Sequence, residues 1–213
     1  WLSVERKRLL RFYGAKLFEI PANQGGFLKC IELAAKKGSK KGYFCPKQFE
    51  NTWNVFAHAQ FTAPELDSTM SRHNLGDLSA FVAGMGTGGT VMGFYHHFSQ
   101  KNADFRAYPI LPDKNKDGEH RIEGIGDSFI PKIVDLQALS TTLRVSDSDA
   151  INISRQINKL GLSVGISSGA NVFGAILKAL ELPEGSNTAT VLPDGNKKYL
   201  TTDLCSESHE PLS

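Results

Sequence analysis

Four glycines fall within six residues at Gly84-Met85-Gly86-Thr87-Gly88-Gly89. The apolar run Leu78-Ser79-Ala80-Phe81-Val82-Ala83 leads into them, and a helix-compatible run follows over residues 91–101. A second apolar run occupies residues 105–111. Strand, glycine turn, helix and strand make a βαβ unit, because two parallel strands need a crossover of this length. A parallel sheet is buried on both faces, so this one feature commits the chain to an α/β architecture with helices above and below.

The remaining pattern fits that architecture. Helices are predicted over residues 3–13, stopped by Gly14, and over 26–37, where Phe27, Ile31, Ala34 and Ala35 share a face and Gly38 closes the helix. Short strands are predicted over 15–20, ended by Pro21, and over 42–45, ended by Pro46. Residues 54–60 and 64–70 read as two helices, with Thr62 as a cap between them. Polar residues 113–120 read as a loop and 151–159 as a helix. A strand over 162–166 is broken by Ser167-Ser168-Gly169, and a helix follows over 170–180. A last strand over 189–192 runs into Pro193-Asp194-Gly195.

The 213 residues suffice for one large domain or two small ones. A net charge of +2 gives no basic footprint for nucleic acid, and Lys36-Lys37, Lys40-Lys41 and Lys114-Lys116 read as solvated turns. Cys30, Cys45 and Cys205 form no metal-ligand spacing, and three sparse cysteines suit a reducing, cytoplasmic compartment. Cys30 and Cys45 lie among apolar residues and read as core thiols. No apolar run is long enough to span a membrane. His58, His96 and His97 have no metal partners at useful spacing and read as structural. The chain begins with Trp1 and opens directly into what reads as the middle of an amphipathic helix, so a fragment is expected.

Glycines at a strand-to-helix turn let the backbone approach an anion that the free N–H groups of the helix N-terminus can bind. The match of Gly84-x-Gly86-x-x-Gly89 to the dinucleotide fingerprint, with Asp113 downstream, leaves a nicotinamide cofactor open. The hydroxyls of Thr87 and Thr90 inside the turn can each donate to a phosphate oxygen, which leaves a nicotinamide and a pyridoxal cofactor nearly level on the turn alone. No lysine follows the last glycine, which excludes a nucleoside triphosphate loop.

Other stretches separate these readings. Phe81 to Gly93, read as FVAGMGTGGTVMG, resembles the phosphate-binding loop of the pyridoxal-phosphate enzymes of the cysteine synthase and cystathionine beta-synthase family. Glu123-Gly124-Ile125-Gly126 with Phe129-Ile130-Pro131 resembles a second signature of that family. Gly165-Ile166-Ser167-Ser168-Gly169-Ala170-Asn171 resembles a third, and Pro193-Asp194-Gly195 with Tyr199-Leu200-Thr201-Thr202 a fourth. Gln48-Phe49-Glu50-Asn51, His58 and Thr62-Ala63-Pro64-Glu65 match further positions in order, as does Glu5-Arg6-Lys7 to Gly14-Ala15.

The resemblance implies a type II pyridoxal-phosphate fold, with residues 1–50 the remnant of a small mobile domain and 51–213 the large cofactor domain. It implies that Gly86, Thr87, Gly88, Gly89 and Thr90 bind the cofactor phosphate, that Ser167 meets the pyridine nitrogen, and that Asp194 and Tyr199 lie near the ring edge. The alternative for Ser167 is a helix cap. Gln48, Gly124, Gly126 and Asp127 are implied at the substrate, Gln48 on its α-carboxylate. A serine hydroxyl cannot protonate the ring as a carboxylic acid would. The favoured chemistry is then loss of a β leaving group from a serine-type substrate, and the resemblance implies β-replacement on O-acetylserine or serine, giving cysteine or a related β-substituted alanine, in a homodimer. The family's catalytic lysine stretch and its Thr-Ser-Gly-Asn substrate loop find no match here, and Lys29 has no reason to face the ring. Thr52-Trp53, Ala63 and Asp127 depart from the family pattern. The competing readings are a nicotinamide oxidoreductase built on Gly84-Gly89 and a truncated, non-catalytic homologue.

Overall fold

A computed structural model describes residues 3–113, 120–126 and 129–206. Four parallel strands form one sheet: β1 (Leu78–Gly84), β2 (Arg106–Pro112), β3 (Leu143–Val145) and β4 (Asn187–Thr190), in the order β3-β2-β1-β4. Ala80 pairs with Arg106 on one side of β1 and Phe81 with Ala189 on the other. β1 is central, and its near-continuous apolar sequence follows from burial on both faces.

Seven α-helices accompany the sheet among the described residues: α1 (Val4–Phe12), α2 (Gly26–Gly38), α3 (Trp53–Ala57), α4 (Ala63–Arg72), α5 (Gly89–Phe98), α6 (Asp147–Lys159) and α7 (Ile166–Glu181). Alternate residues of β1 serve opposite cores, as the period of a strand requires. Phe81 and Ala83 pack with Val91, Met92 and Phe94 of α5 and with Ala63 and Met70 of α4. Val82 packs with Ile151 of α6 and with Ile166 and Ala170 of α7. The Phe81 and Phe94 rings stack with centroids 3.7 Å apart. The start of α6 is fixed by Ser146, whose hydroxyl accepts the Asp149 N–H at 3.1 Å, with Asp147 and Asp149 in the first turn where the helix dipole favours them.

Several expectations change. Residues 15–20 and 42–45 form no strand, because no neighbouring strand among the described residues pairs with them. Residues 162–166 form none either: Gly165 is extended, and α7 starts at Ile166, so Ser167-Ser168-Gly169 lie in its first turn. Thr62 caps nothing. Helical backbone continues from α3 into α4 through a π-helical turn, His58–Thr62, closed by the Ala63 N–H on the His58 carbonyl. The short strand β3 was not expected. Cys30 and Cys45 are only partly buried.

Candidate active site

The carboxyl end of β1 delivers the glycine turn to the N-terminus of α5. In open parallel sheets this edge is where ligands bind. The turn is anchored by its first residues: the Gly84 N–H bonds Asn171 Oδ1 at 2.7 Å, and the Met85 N–H bonds the Ile110 carbonyl at 2.9 Å. Asn171 is fully buried on α7, and its Nδ2 reaches the Val191 carbonyl at 2.8 Å, tying β1, β4 and α7 together.

The middle of the turn is different. Among the described residues, no protein acceptor takes the N–H of Gly86, Thr87, Gly88 or Thr90. Buried backbone donors are normally satisfied, so unpaired N–H groups at a helix N-terminus fit an anion. The glycines are enforced by close packing. A Cβ at Gly86 would stand 2.2 Å from the Gly124 carbonyl oxygen, and one at Gly89 would stand 2.1 Å from Asn54 Oδ1. Gly88 caps α5 with φ of +82°, a left-handed backbone that favours glycine.

Both threonines of the turn are held from the α3 side. Asn54 Nδ2 donates to Thr87 Oγ1 at 2.9 Å and to the Gln48 carbonyl at 2.9 Å. His58 Nε2 lies 3.1 Å from Thr90 Oγ1, and its Nδ1 lies 3.0 Å from Thr62 Oγ1. Burial pushes the His58 imidazole below its ordinary pKa. The sequence alone gives Asn54 no signal, and it marks His58 and Asn171 only as members of stretches that resemble the family, with no role attached to either.

A second loop leans on the glycine turn. The Gly126 N–H bonds the Met85 carbonyl at 3.1 Å, and Pro112 fills the space beside Gly126. Gly124 has φ of +89° and open space where a side chain would project, which fits an uncovered pocket wall. Asp127 lies outside the described residues. Gln48 is exposed, linked to the turn by its backbone carbonyl through Asn54.

Ser167 is buried in the first turn of α7, and no protein group among the described residues bonds its hydroxyl. It is not the cap; that position belongs to Gly165. Among the described residues, the sealed hydroxyl without a partner in this turn is that of Ser168. The Ser167 hydroxyl, on a residue 6% exposed, is free of protein partners among the described residues and can still donate to or accept from a ligand. Gly165 also touches Asp194 and Tyr199: its N–H bonds the Asp194 carbonyl at 2.9 Å, and a Cβ there would stand 2.2 Å from Asp194 Oδ1.

Asp194 is held by the Tyr199 hydroxyl at 3.0 Å and by Arg6 Nη2 at 3.3 Å. The same Arg6 guanidinium pairs with Glu123 and lies 4.5 Å over the Tyr199 ring. Burial pushes the Glu123 carboxyl up, opposed by Arg6. Burial, with the Asp194 charge, also pushes the Tyr199 phenol up, so it stays protonated and donates. Lys29 is spent on Glu32 at 2.8 Å, on the exposed α2.

Residues 1–194 match the family model for pyridoxal-phosphate dependent enzymes. The chain belongs to that family. It is 36% identical over 212 residues to cysteine synthase B of Campylobacter jejuni, covering 95% of this chain and 68% of that protein. The hydrogen sulfide-producing enzyme Fn1055 of Fusobacterium nucleatum superposes with a TM-score of 0.90 at 40% identity, over 97% of this chain and 64% of that one. The O-acetylserine dependent cystathionine beta-synthase of Helicobacter pylori superposes with a TM-score of 0.80 at 32% identity, over 95% and 67%. The chain thus spans about two thirds of these relatives. Its fold is the family's, and pyridoxal phosphate is the family's cofactor. The nicotinamide reading of Gly84-Gly89 is set aside, since the family model that matches residues 1–194 is that of pyridoxal-phosphate dependent enzymes. Among the described residues no helix is long and apolar enough to cross a membrane.

Proposed function

We propose that this chain supplies the cofactor site of an enzyme that replaces the β substituent of O-acetylserine or serine, forming cysteine or a related β-substituted alanine. The observation that carries this is the pairing of two unsatisfied elements on one sheet edge. Among the described residues, the turn at Gly86–Thr90 offers N–H groups without protein acceptors, and the first turn of α7 offers a Ser167 hydroxyl that no protein group bonds.

In this reading Gly86, Thr87, Gly88, Gly89 and Thr90 hold the phosphate. Ser167 meets the pyridine nitrogen as a neutral hydroxyl that leaves it largely unprotonated. Bound pyridoxal phosphate would supply the electron sink for departure of the β substituent. Asp194, fixed by Tyr199 and Arg6, sets the backbone at Gly165 from which Ser167 is presented. Gly124 and Gly126 leave the cofactor face open, with Gln48 and Asp127 beside the substrate, Gln48 toward its carboxylate. The boundary near residue 50, a homodimer, and a cytoplasmic setting with small amino acids as substrates belong to the same proposal. The lysine that must move the α-proton matches no stretch of this sequence.

The test is a pair of assays on the full-length protein loaded with pyridoxal phosphate: cysteine formed from O-acetylserine and sulfide, and sulfide released from cysteine. Cysteine formation supports β-replacement as proposed. Sulfide release alone would place this protein with Fn1055 of Fusobacterium nucleatum, which is described as hydrogen sulfide-producing. Cofactor binding with neither activity would favour a non-catalytic homologue.

A further inference from the structure

Asn54 and His58 lie four residues apart, on one face of the helical run that passes from α3 into the π-helical turn. Each meets one threonine of the glycine turn. Gly93 comes close to the same face: a Cβ there would stand 2.4 Å from His58 Cβ. π-helical turns inside α-helices recur at functional sites.

The hydrogen-bond bookkeeping at Thr87 has one solution. The Gln48 oxygen that faces Asn54 is a carbonyl and can only accept, so the Asn54 atom between Gln48 and Thr87 is the amide nitrogen. Thr87 Oγ1 accepts from that nitrogen and also from the Gly89 N–H at 3.2 Å. Both its lone pairs are occupied. Its own proton bonds no protein group among the described residues and has to point elsewhere. At Thr90 a His58 tautomer protonated on Nε2, with Nδ1 accepting from Thr62, fills one lone pair of Oγ1 and turns the Thr90 proton away from the ring.

We propose that Asn54 and His58 are positioning residues that fix the polarity of Thr87 and Thr90, so that both hydroxyls donate to a bound phosphate. The proposal rests on the reading of Gly86–Thr90 as the phosphate site. A threonine left to rotate freely would spend part of its time offering lone pairs to the anion. A donor that fills those lone pairs in advance removes that orientation before the ligand arrives. Thr62 serves as the outer end of a relay, Thr62 to His58 to Thr90, each hydroxyl or ring N–H donating inward. Burial lowers the His58 pKa and so favours the neutral imidazole that the relay requires.

The experiment uses the full-length apoenzyme and two probes, pyridoxal 5′-phosphate and unphosphorylated pyridoxal, with affinities read by equilibrium dialysis. Asn54→Leu and His58→Leu remove the donors without adding charge. Each is expected to weaken pyridoxal phosphate roughly tenfold, the scale of one hydrogen bond to an anion, and to leave pyridoxal unchanged. His58→Gln, which can offer an N–H near the Nε2 position, should recover most of the loss. The effect of Asn54→Leu should vanish in a Thr87→Val background, and that of His58→Leu in a Thr90→Val background, because each acts through its threonine. Nitrogen-15 shifts of the His58 ring should report the Nε2-protonated tautomer. Additive losses in those double mutants, or an Nδ1-protonated ring, would overturn the proposal while the phosphate site stands. A wild-type protein that does not distinguish pyridoxal phosphate from pyridoxal would instead sink the phosphate site itself. Equal loss of both probes would show that the helix merely supports the fold, and would also overturn polarity as the cause.

Discussion

Helices α2 and α7 make an instructive pair. Both carry an apolar stripe, yet α2 buries no residue, while α7 buries Ile166 to Asn171 and Gly174. The contrast extends to their regions. Before residue 49, Phe12, Phe18 and Phe44 are 83%, 73% and 84% exposed. Beyond it, Phe81, Val82 and Phe94 are sealed in the sheet's two cores. Amphipathy marks where a helix wants a partner, but packing supplies most of its stability. The early region is joined to the rest by few ties. Among the described residues they include Ser3 and Arg6 at the 194–199 loop and Glu123, Thr201 on Glu5, the Pro46 and Gln48 carbonyls on Asn51 and Asn54, and the Phe27 ring against Phe49 and Phe129.

The largest expected effect tests the sealed half. Phe81→Ala removes a fully buried ring stacked on Phe94 and should cost about 3–5 kcal/mol in urea unfolding. Phe18→Ala, on the open half, should stay within about 0.5 kcal/mol. Similar losses at both positions would break the comparison.

Arg6→Ala cuts the tie between the halves. It leaves Glu123 buried without its cation, and a loss of about 2 kcal/mol is expected, moderated because a fifth of the Arg6 side chain still meets solvent. The pH dependence sharpens this. Glu123 has a folded pKa above its unfolded value, chiefly through burial. Its contribution is therefore fully present below the ordinary glutamate pKa and is lost as pH rises through the raised folded value. Arg6→Ala should carry that loss to higher pH, and Glu123→Gln in the same background should flatten the profile. A pH-stability curve unmoved by Arg6→Ala would mean that Arg6 does not govern Glu123.

The smallest effect belongs to the exposed pairs of Glu19 with Lys7 and Arg11. Their partners hold Glu19 below its ordinary pKa, yet its side chain is half exposed to solvent. Glu19→Gln should leave the thermal midpoint where it was, because exposed pairs are screened and entropically weak. A clear drop would show that the first 48 residues are more firmly built than their exposure indicates.

The centre of the sheet was legible because its code is local, while the short edge strand β3 was not. The βαβ unit at residues 78–112 is spelled by apolar runs around four glycines, and Gly88 at φ +82° is where only that residue type sits easily. Residues 15–20 and 42–45 have the composition of strands but no neighbour to pair with, and pairing is not written in a segment's own sequence. The start of α7 was misplaced for a related reason. Gly165 and the two serines read as breakers, whereas Asp194 and Tyr199 hold Gly165 from thirty residues away. The site divides likewise. Turn glycines announce themselves, while the roles of Asn54, His58 and Asn171 are defined only where the fold brings them to Thr87, Thr90 and Gly84.

The strand order carries a consequence for synthesis. β1 has β2 on one side, about twenty residues later, and β4 on the other, about a hundred residues later. At a ribosomal pace of roughly 5–20 residues per second, one edge of β1 waits for about 5–20 s before its second neighbour exists. During that interval Val82 and the Gly84 N–H lack β4 and Asn171, and an apolar strand with open hydrogen-bonding groups is exposed to other nascent chains. Slowing translation between residues 112 and 187 should therefore lower soluble yield, and speeding it there should raise it.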